Sequence, residues 1–195
     1  MKQRMPQLVL IVSTLGVFWL GMQIVHEAGH LLAAWFVGAD VKHVILHPLK
    51  ISQTQLEQRP PPVSVVWCGS LFGMAAPLVC YATWEFLRLP GGYLWRCFAG
   101  FCLLANGTYL AAGALANVGD AHDLLLAGIP TWRVVGVGLL SAPPGLWMFR
   151  RQIQHFGLGQ AAGRVSVDAA YVMAFLLLAI VSLELAKGGR IDFAG

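Results

Sequence analysis

The chain has 195 residues, 57% of them apolar and only 11% charged. A soluble domain of this length carries roughly a quarter charged residues, so the deficit excludes an ordinary water-soluble globule. The net charge of +4 is spread over the ends of apolar runs, as in Arg150-Arg151 and Lys187 to Arg190. That pattern anchors membrane ends, and with no basic stripe interleaved with aromatics a nucleic-acid partner is excluded.

The length suits a single domain over residues 1–195. Met1 to Pro6 is short, basic and polar. Residues 7–37 then run apolar, broken only by Gln23 and the group HEAGH. The start resembles a signal peptide, but no small-x-small cleavage site follows and the apolar run continues past a signal-peptide core. The spacing predicts an uncleaved first helix of about 46 Å, longer than a hydrocarbon core of about 30 Å. His26 falls about 28 Å along it, in the distal half.

Residues 38–62 are the longest polar stretch. Within it VKHVILHPLKIS is rich in β-branched residues and alternates, which predicts a short strand or hairpin lying on the membrane. The triple proline 60–62 ends it. Residues 63–87 form a second span, rich in glycine and alanine, which permit close helix approach. After a tight loop at Arg88 to Gly92, residues 93–115 form a third span. The segment ANVGDAHDLLLAGIP, 116–130, interrupts the apolar pattern with two aspartates and a histidine. Residues 131–149 form a fourth span, bent or ended near Pro143-Pro144. A polar connection, Arg150 to Ser166, leads to a fifth span, 167–186. The fold class is therefore an all-α membrane protein: a polytopic bundle of about five transmembrane helices, with a short membrane-associated β-hairpin after the first. Lysine and arginine are nearly balanced between alternate loops, so no orientation follows.

The cysteines, Cys68, Cys80, Cys97 and Cys102, all lie in apolar segments without a CxxC pair and read as buried small hydrophobes. Asn106-Gly107-Thr108 matches a glycosylation sequon by chance, inside a span.

The chemistry concentrates in His26-Glu27-Ala28-Gly29-His30. Titratable groups are costly in hydrocarbon and are usually functional there. On a helix, i and i+4 share one face about 6 Å apart, so both imidazoles reach one metal ion. Glu27 is rotated about 100° from His26, beside that face. This is the arrangement in which two histidines hold zinc and the glutamate acts as general base on a water. With six histidines and four glutamates, a shuffled chain would carry HExxH about 0.4% of the time, which favours metal binding over a polar cluster that glues helices together.

A catalytic zinc normally has a third protein ligand. Asp120, in a break where non-helical backbone can line a cavity, is the first choice. Its rival role is helix N-cap for AHDLLLAG. Asp123 is the reserve ligand, or a first-turn dipole partner. His122 reads as facing the cavity or solvent. His43 and His47 repeat the HxxxH spacing, but in an extended segment they stand about 13 Å apart, so they read as interfacial. His155 reads as solvated, and Glu85 and Glu184 as snorkelling at span ends.

HExxH inside the first long apolar helix resembles the site-2 protease family of intramembrane zinc metallopeptidases. VKHVILHPLK is similar to the short membrane-associated sheet that follows the motif in that family, and Gly119-Asp120 in NVGDAHDLL resembles its downstream Asp-Gly signature. The resemblance covers roughly residues 10–130. Asn117-Val118 stand where the family has an Asn-Pro-x-Pro run, no glycine follows Asp120, and there is no room for an inserted PDZ domain. The resemblance implies a multi-pass integral membrane metalloprotease that uses Zn2+ held by His26, His30 and Asp120, with Glu27 as catalytic base and a membrane-embedded protein as substrate. Asn106 or Asn117 would add a hydrogen bond to the oxyanion, or serve as a helix contact. The other readings are a non-proteolytic metal-binding membrane protein or pseudoprotease scaffold, and a metal transporter or histidine-box oxygenase, the last of which needs more histidine clusters than are present.

Overall fold

The computed structural model describes residues 4–161, 163–186 and 188–193. The basic start Met1–Gln3 and the anchoring residue Lys187 lie outside the described residues. Among the described residues six α-helices occur in chain order: α1 (Arg4–Val37), α2 (Val63–Phe86), α3 (Gly92–Ala116), α4 (Gly119–Leu126), α5 (Thr131–Phe149) and α6 (Val167–Ala186). With them are two short 3-10 turns (Ile153–Phe156 and Gly159–Ala161) and three short strands: β1 (Val41–Ile45) and β2 (Gln53–Leu56) between α1 and α2, and β3 (Arg190–Asp192) after α6.

Four helices, α1, α2, α3 and α6, are long and apolar enough to cross a membrane. The sequence expectation of about five is therefore met by four. The remaining long helix, α5, is not among them: Arg133, its glycines and Pro143-Pro144 dilute its apolar content. Nor does that proline pair end the helix, which runs on to Phe149. Prolines 143 and 144 remove the donors that would reach the carbonyls of Leu139 and Leu140.

A hairpin does form, but only β1 lies in the β-branched run VKHVILHPLKIS; its partner β2 follows that run. β1 and β2 pair antiparallel with Val44 opposite Thr54 and a register shift between Val41 and His43. The third strand was not legible. Arg190–Asp192 returns from α6 and pairs antiparallel with the other side of β1, Ile191 opposite Val44, giving the order β2-β1-β3. Glu184 is corrected with it. It does not snorkel but is 7% exposed, because the chain turns back at the end of α6 and Gly189 N–H donates to its backbone carbonyl at 2.9 Å.

Helix packing rests on small residues. α3 and α5 meet at two glycine pairs two helical turns apart. A Cβ on Gly100 would lie 3.0 Å from the carbonyl oxygen of Gly145, and one on Gly107 would lie 2.8 Å from that of Gly138. α1 meets α2 in the same way, where a Cβ on Gly29 would lie 2.5 Å from the Cys68 carbonyl oxygen. Around the α3–α5 seam Leu103, Leu110, Leu124, Val134 and Met148 form the main buried cluster. The cysteines are free, but only Cys97 and Cys102 are buried. Cys80 is exposed on the outer face of α2, so the reading of all four as buried hydrophobes fails there.

Gly107→Val should force α3 and α5 apart at a cost of at least about 1–3 kcal/mol. The thermal midpoint in detergent should fall, while Gly136→Ala, which meets open space, should leave it unchanged. Equal midpoints for both variants would refute the seam.

Candidate metal centre

His26 and His30 stand one turn apart on α1, each 7% exposed. Their Nε2 atoms are 3.1 Å from each other. Asp120 arrives from another part of the chain. α3 ends at Asn117, in the left-handed region (φ 60°), Val118 is extended, and Gly119 turns at φ 62° into α4. That corner carries Asp120 Oδ2 to 3.1 Å from His26 Nε2 and 3.2 Å from His30 Nε2. The N-cap of α4 is Val118, with no side-chain capping bond, so the cap role weighed for Asp120 does not occur.

The opposite edge of each ring is tied down. His30 Nδ1 lies 2.8 Å from the Val65 carbonyl oxygen, which can only accept, so Nδ1 carries the proton. His26 Nδ1 lies 2.7 Å from Asn106 Oδ1. The orientation of that amide is fixed because Asn106 Nδ2 donates to the Cys102 carbonyl at 3.0 Å. His26 Nδ1 is therefore the donor as well. Glycines on α2 leave room for these groups: a Cβ on Gly69 would fall on the His30 ring, and one on Gly73 would lie 2.8 Å from Asn106 Oδ1.

With both Nδ1 atoms protonated, the neutral rings present bare lone pairs at Nε2. In that neutral tautomer two imidazole nitrogens and a carboxylate oxygen converge within 3.2 Å as acceptors. Buried acceptors left facing one another are costly, and a cation among them satisfies all three. His26, His30 and Asp120 could thus hold a metal ion. A tetrahedral ion bonded at about 2.0–2.1 Å sets its ligand atoms about 3.3–3.4 Å apart, close to the separations found. Asp120 Oδ2 supplies the carboxylate member of the set.

The group opens on a cavity of about 280 Å³ between α1, the segment from Ile51 to Leu56, the start of α2, Tyr109 and α4. Glu27 lines it, is 3% exposed, and accepts from Thr54 Oγ1 at 2.6 Å through Oε2. Gln23, one turn earlier, accepts the Ser52 N–H at 2.7 Å. The hairpin is thereby held against the glutamate-bearing face of α1. Asp123 lines the cavity but is not one of the three convergent groups.

Other residues singled out from the sequence take different places. His122 pairs with Asn117 at 2.9 Å at the surface, Asn106 is engaged with His26, and neither asparagine lines the cavity. His43 is 5% exposed, with Nδ1 unpartnered among the described residues. His47 is half-buried and accepts the Leu49 N–H. His155 is exposed and stacks on Tyr93 at 4.4 Å, and Glu85 is exposed. Sequence reasoning missed Thr54 and Tyr109. Thr54 could have been found from the hairpin's alternation; Tyr109 looks like any aromatic in an apolar span.

The chain matches no family model, no curated protein and no solved structure.

Two predictions follow the ligand geometry. A His26→Ala, His30→Ala double variant should lose its bound metal, read by elemental analysis; equal metal in variant and parent would exclude the site. Asn106→Ala should bind metal 10–100-fold more weakly in a competition titration, because it frees His26 Nδ1. Unchanged affinity would show that His26 is oriented by other groups.

Proposed function

We propose that this chain is an integral, multi-pass membrane zinc metalloprotease of the site-2 protease type, which hydrolyses peptide bonds of membrane-embedded protein substrates. The single observation that carries the reading is the placement of Glu27. It borders the same cavity as the convergent His26, His30 and Asp120 atoms, one residue from His26 and outside the ligand group. A structural metal site has no use for a buried carboxylate beside its open position.

Two imidazoles and one carboxylate suit zinc, with a fourth position left to water. A zinc ion held there supplies Lewis-acid activation and lowers the pKa of water to about 7. Glu27 accepts the proton of the attacking water and returns it to the leaving amine as the C–N bond breaks. Thr54 holds one Glu27 oxygen at 2.6 Å, fixing the rotamer and leaving the other oxygen for the proton.

Substrate entry is supported by the sheet. β1 is paired on both sides, whereas among the described residues β2 pairs only with β1. Gln53 and Thr54 of β2 lie at the cavity, so an extended peptide can add to the free edge of β2 through main-chain hydrogen bonds. A substrate helix unwound onto that edge exposes the amide that its own helix had shielded. The histidine-box oxygenase reading loses support, since one group alone among the described residues gathers three metal-binding side chains.

Glu27→Gln should keep zinc near the parent level and reduce proteolysis at least about 10²-fold. The readout is mass-spectrometric capture of cleavage products in membranes containing parent or variant. Undiminished cleavage would end the protease reading. Asp120→Asn should lower zinc and cleavage together, whereas retention of both would remove Asp120 from the ligand set.

A further inference from the structure

Resting on the metalloprotease reading, we infer that Tyr109 is the oxyanion-stabilising residue, its phenolic O–H donating to the substrate carbonyl oxygen as negative charge develops there. Tyr109 lies on α3, half-buried, and lines the cavity beside Asp120. Its ring stands edge-on to His26, with centroids 5.5 Å apart. Its Oη accepts the backbone N–H of Asp120 at 3.1 Å. A tyrosine hydroxyl has one hydrogen to donate as well as lone pairs to accept. Here an acceptor position is filled and, among the described residues, the hydrogen finds no protein acceptor. The incoming N–H fixes the oxygen and leaves the O–H to turn toward the cavity.

The chain makes room for this hydroxyl. Gly119 adopts φ 62°, and any Cβ there would collide with Tyr109 Oη. The corner that delivers Asp120 to the histidines therefore also admits the phenol. Neither asparagine that could have served lines the cavity, and Asn106 donates its Nδ2 to the Cys102 carbonyl. In the step itself the water oxygen bonds to the carbonyl carbon, the π pair moves to the carbonyl oxygen, and Glu27 takes the proton. Tyr109 donates a hydrogen bond to that oxygen without giving up its proton. The C=O bond re-forms as the C–N bond breaks, and the amine leaves with the proton from Glu27.

The test is Tyr109→Phe, which keeps the ring against His26 and removes only the hydroxyl. Three quantities are measured on the full chain in detergent: affinity for zinc alone, affinity for a phosphinic-acid analogue of an apolar peptide, and kcat and KM on a peptide that the parent cleaves. Zinc affinity should stay within about threefold. The phosphinate, whose anionic oxygen mimics the developing charge, should bind 10²–10³-fold more weakly, with kcat reduced in parallel and KM unchanged. A fall in zinc affinity matching the fall in kcat would overturn the proposal and make Tyr109 a support for Asp120. Unchanged phosphinate affinity would also overturn it. Failure of the protease reading shows separately, as absence of cleavage by the parent or full cleavage by Glu27→Gln, and the phosphinate comparison still decides the role of Tyr109.

Discussion

The arrangement depends on two hydrogen bonds that point away from the centre. Val65 O and Asn106 Oδ1 each claim an Nδ1 proton, and that choice of tautomer turns two Nε2 lone pairs toward Asp120. Without those acceptors the rings could share protons with the carboxylate and form an ordinary buried polar cluster. With them, both rings in their neutral form turn Nε2 lone pairs toward Asp120 and could hold a cation. The groups that orient the rings thus come from α2 and α3, although the residues that could hold a metal sit on α1 and α4.

Those acceptors reach the rings because the helices come close together. Gly69 and Gly73 on α2 leave the volume that the His30 ring and the Asn106 amide occupy. The pairs Gly100/Gly145 and Gly107/Gly138 bring α5 against α3, which backs the helix that carries both Asn106 and Tyr109. In an apolar surrounding, where burial gives little drive for helices to associate, such close backbone contact and interhelical hydrogen bonds carry the packing. The same glycines therefore serve stability and site geometry together.

Most helices were legible because apolar runs bounded by proline, glycine or charge define them: α2 begins after Pro62 and α3 at Gly92. The i, i+4 face of HEAGH was likewise plain from periodicity. What stayed hidden depends on distance along the chain. Asp120 lies 94 residues from His26, and the sequence could rank it above Asp123 but could not supply the left-handed corner that aims it. β3 was missed because three residues after a helix carry no period, and Glu184 because its burial depends on that return. Asn106 read as a catalytic or packing amide. Its role as a ring-orienting acceptor exists only once α3 crosses α1.

The third strand has a mechanical meaning. α6 packs chiefly on α1 and buries only a narrow stripe, so by itself it would be free to swing. In the connection before it, Gln7 of α1 donates to the carbonyls of Phe156 and Gly157 at 3.1 and 2.9 Å. Beyond its far end, Arg190–Asp192 is stitched to β1. The helix is a strut jointed at its far end to the sheet whose other margin borders the cavity beside His26, His30 and Asp120.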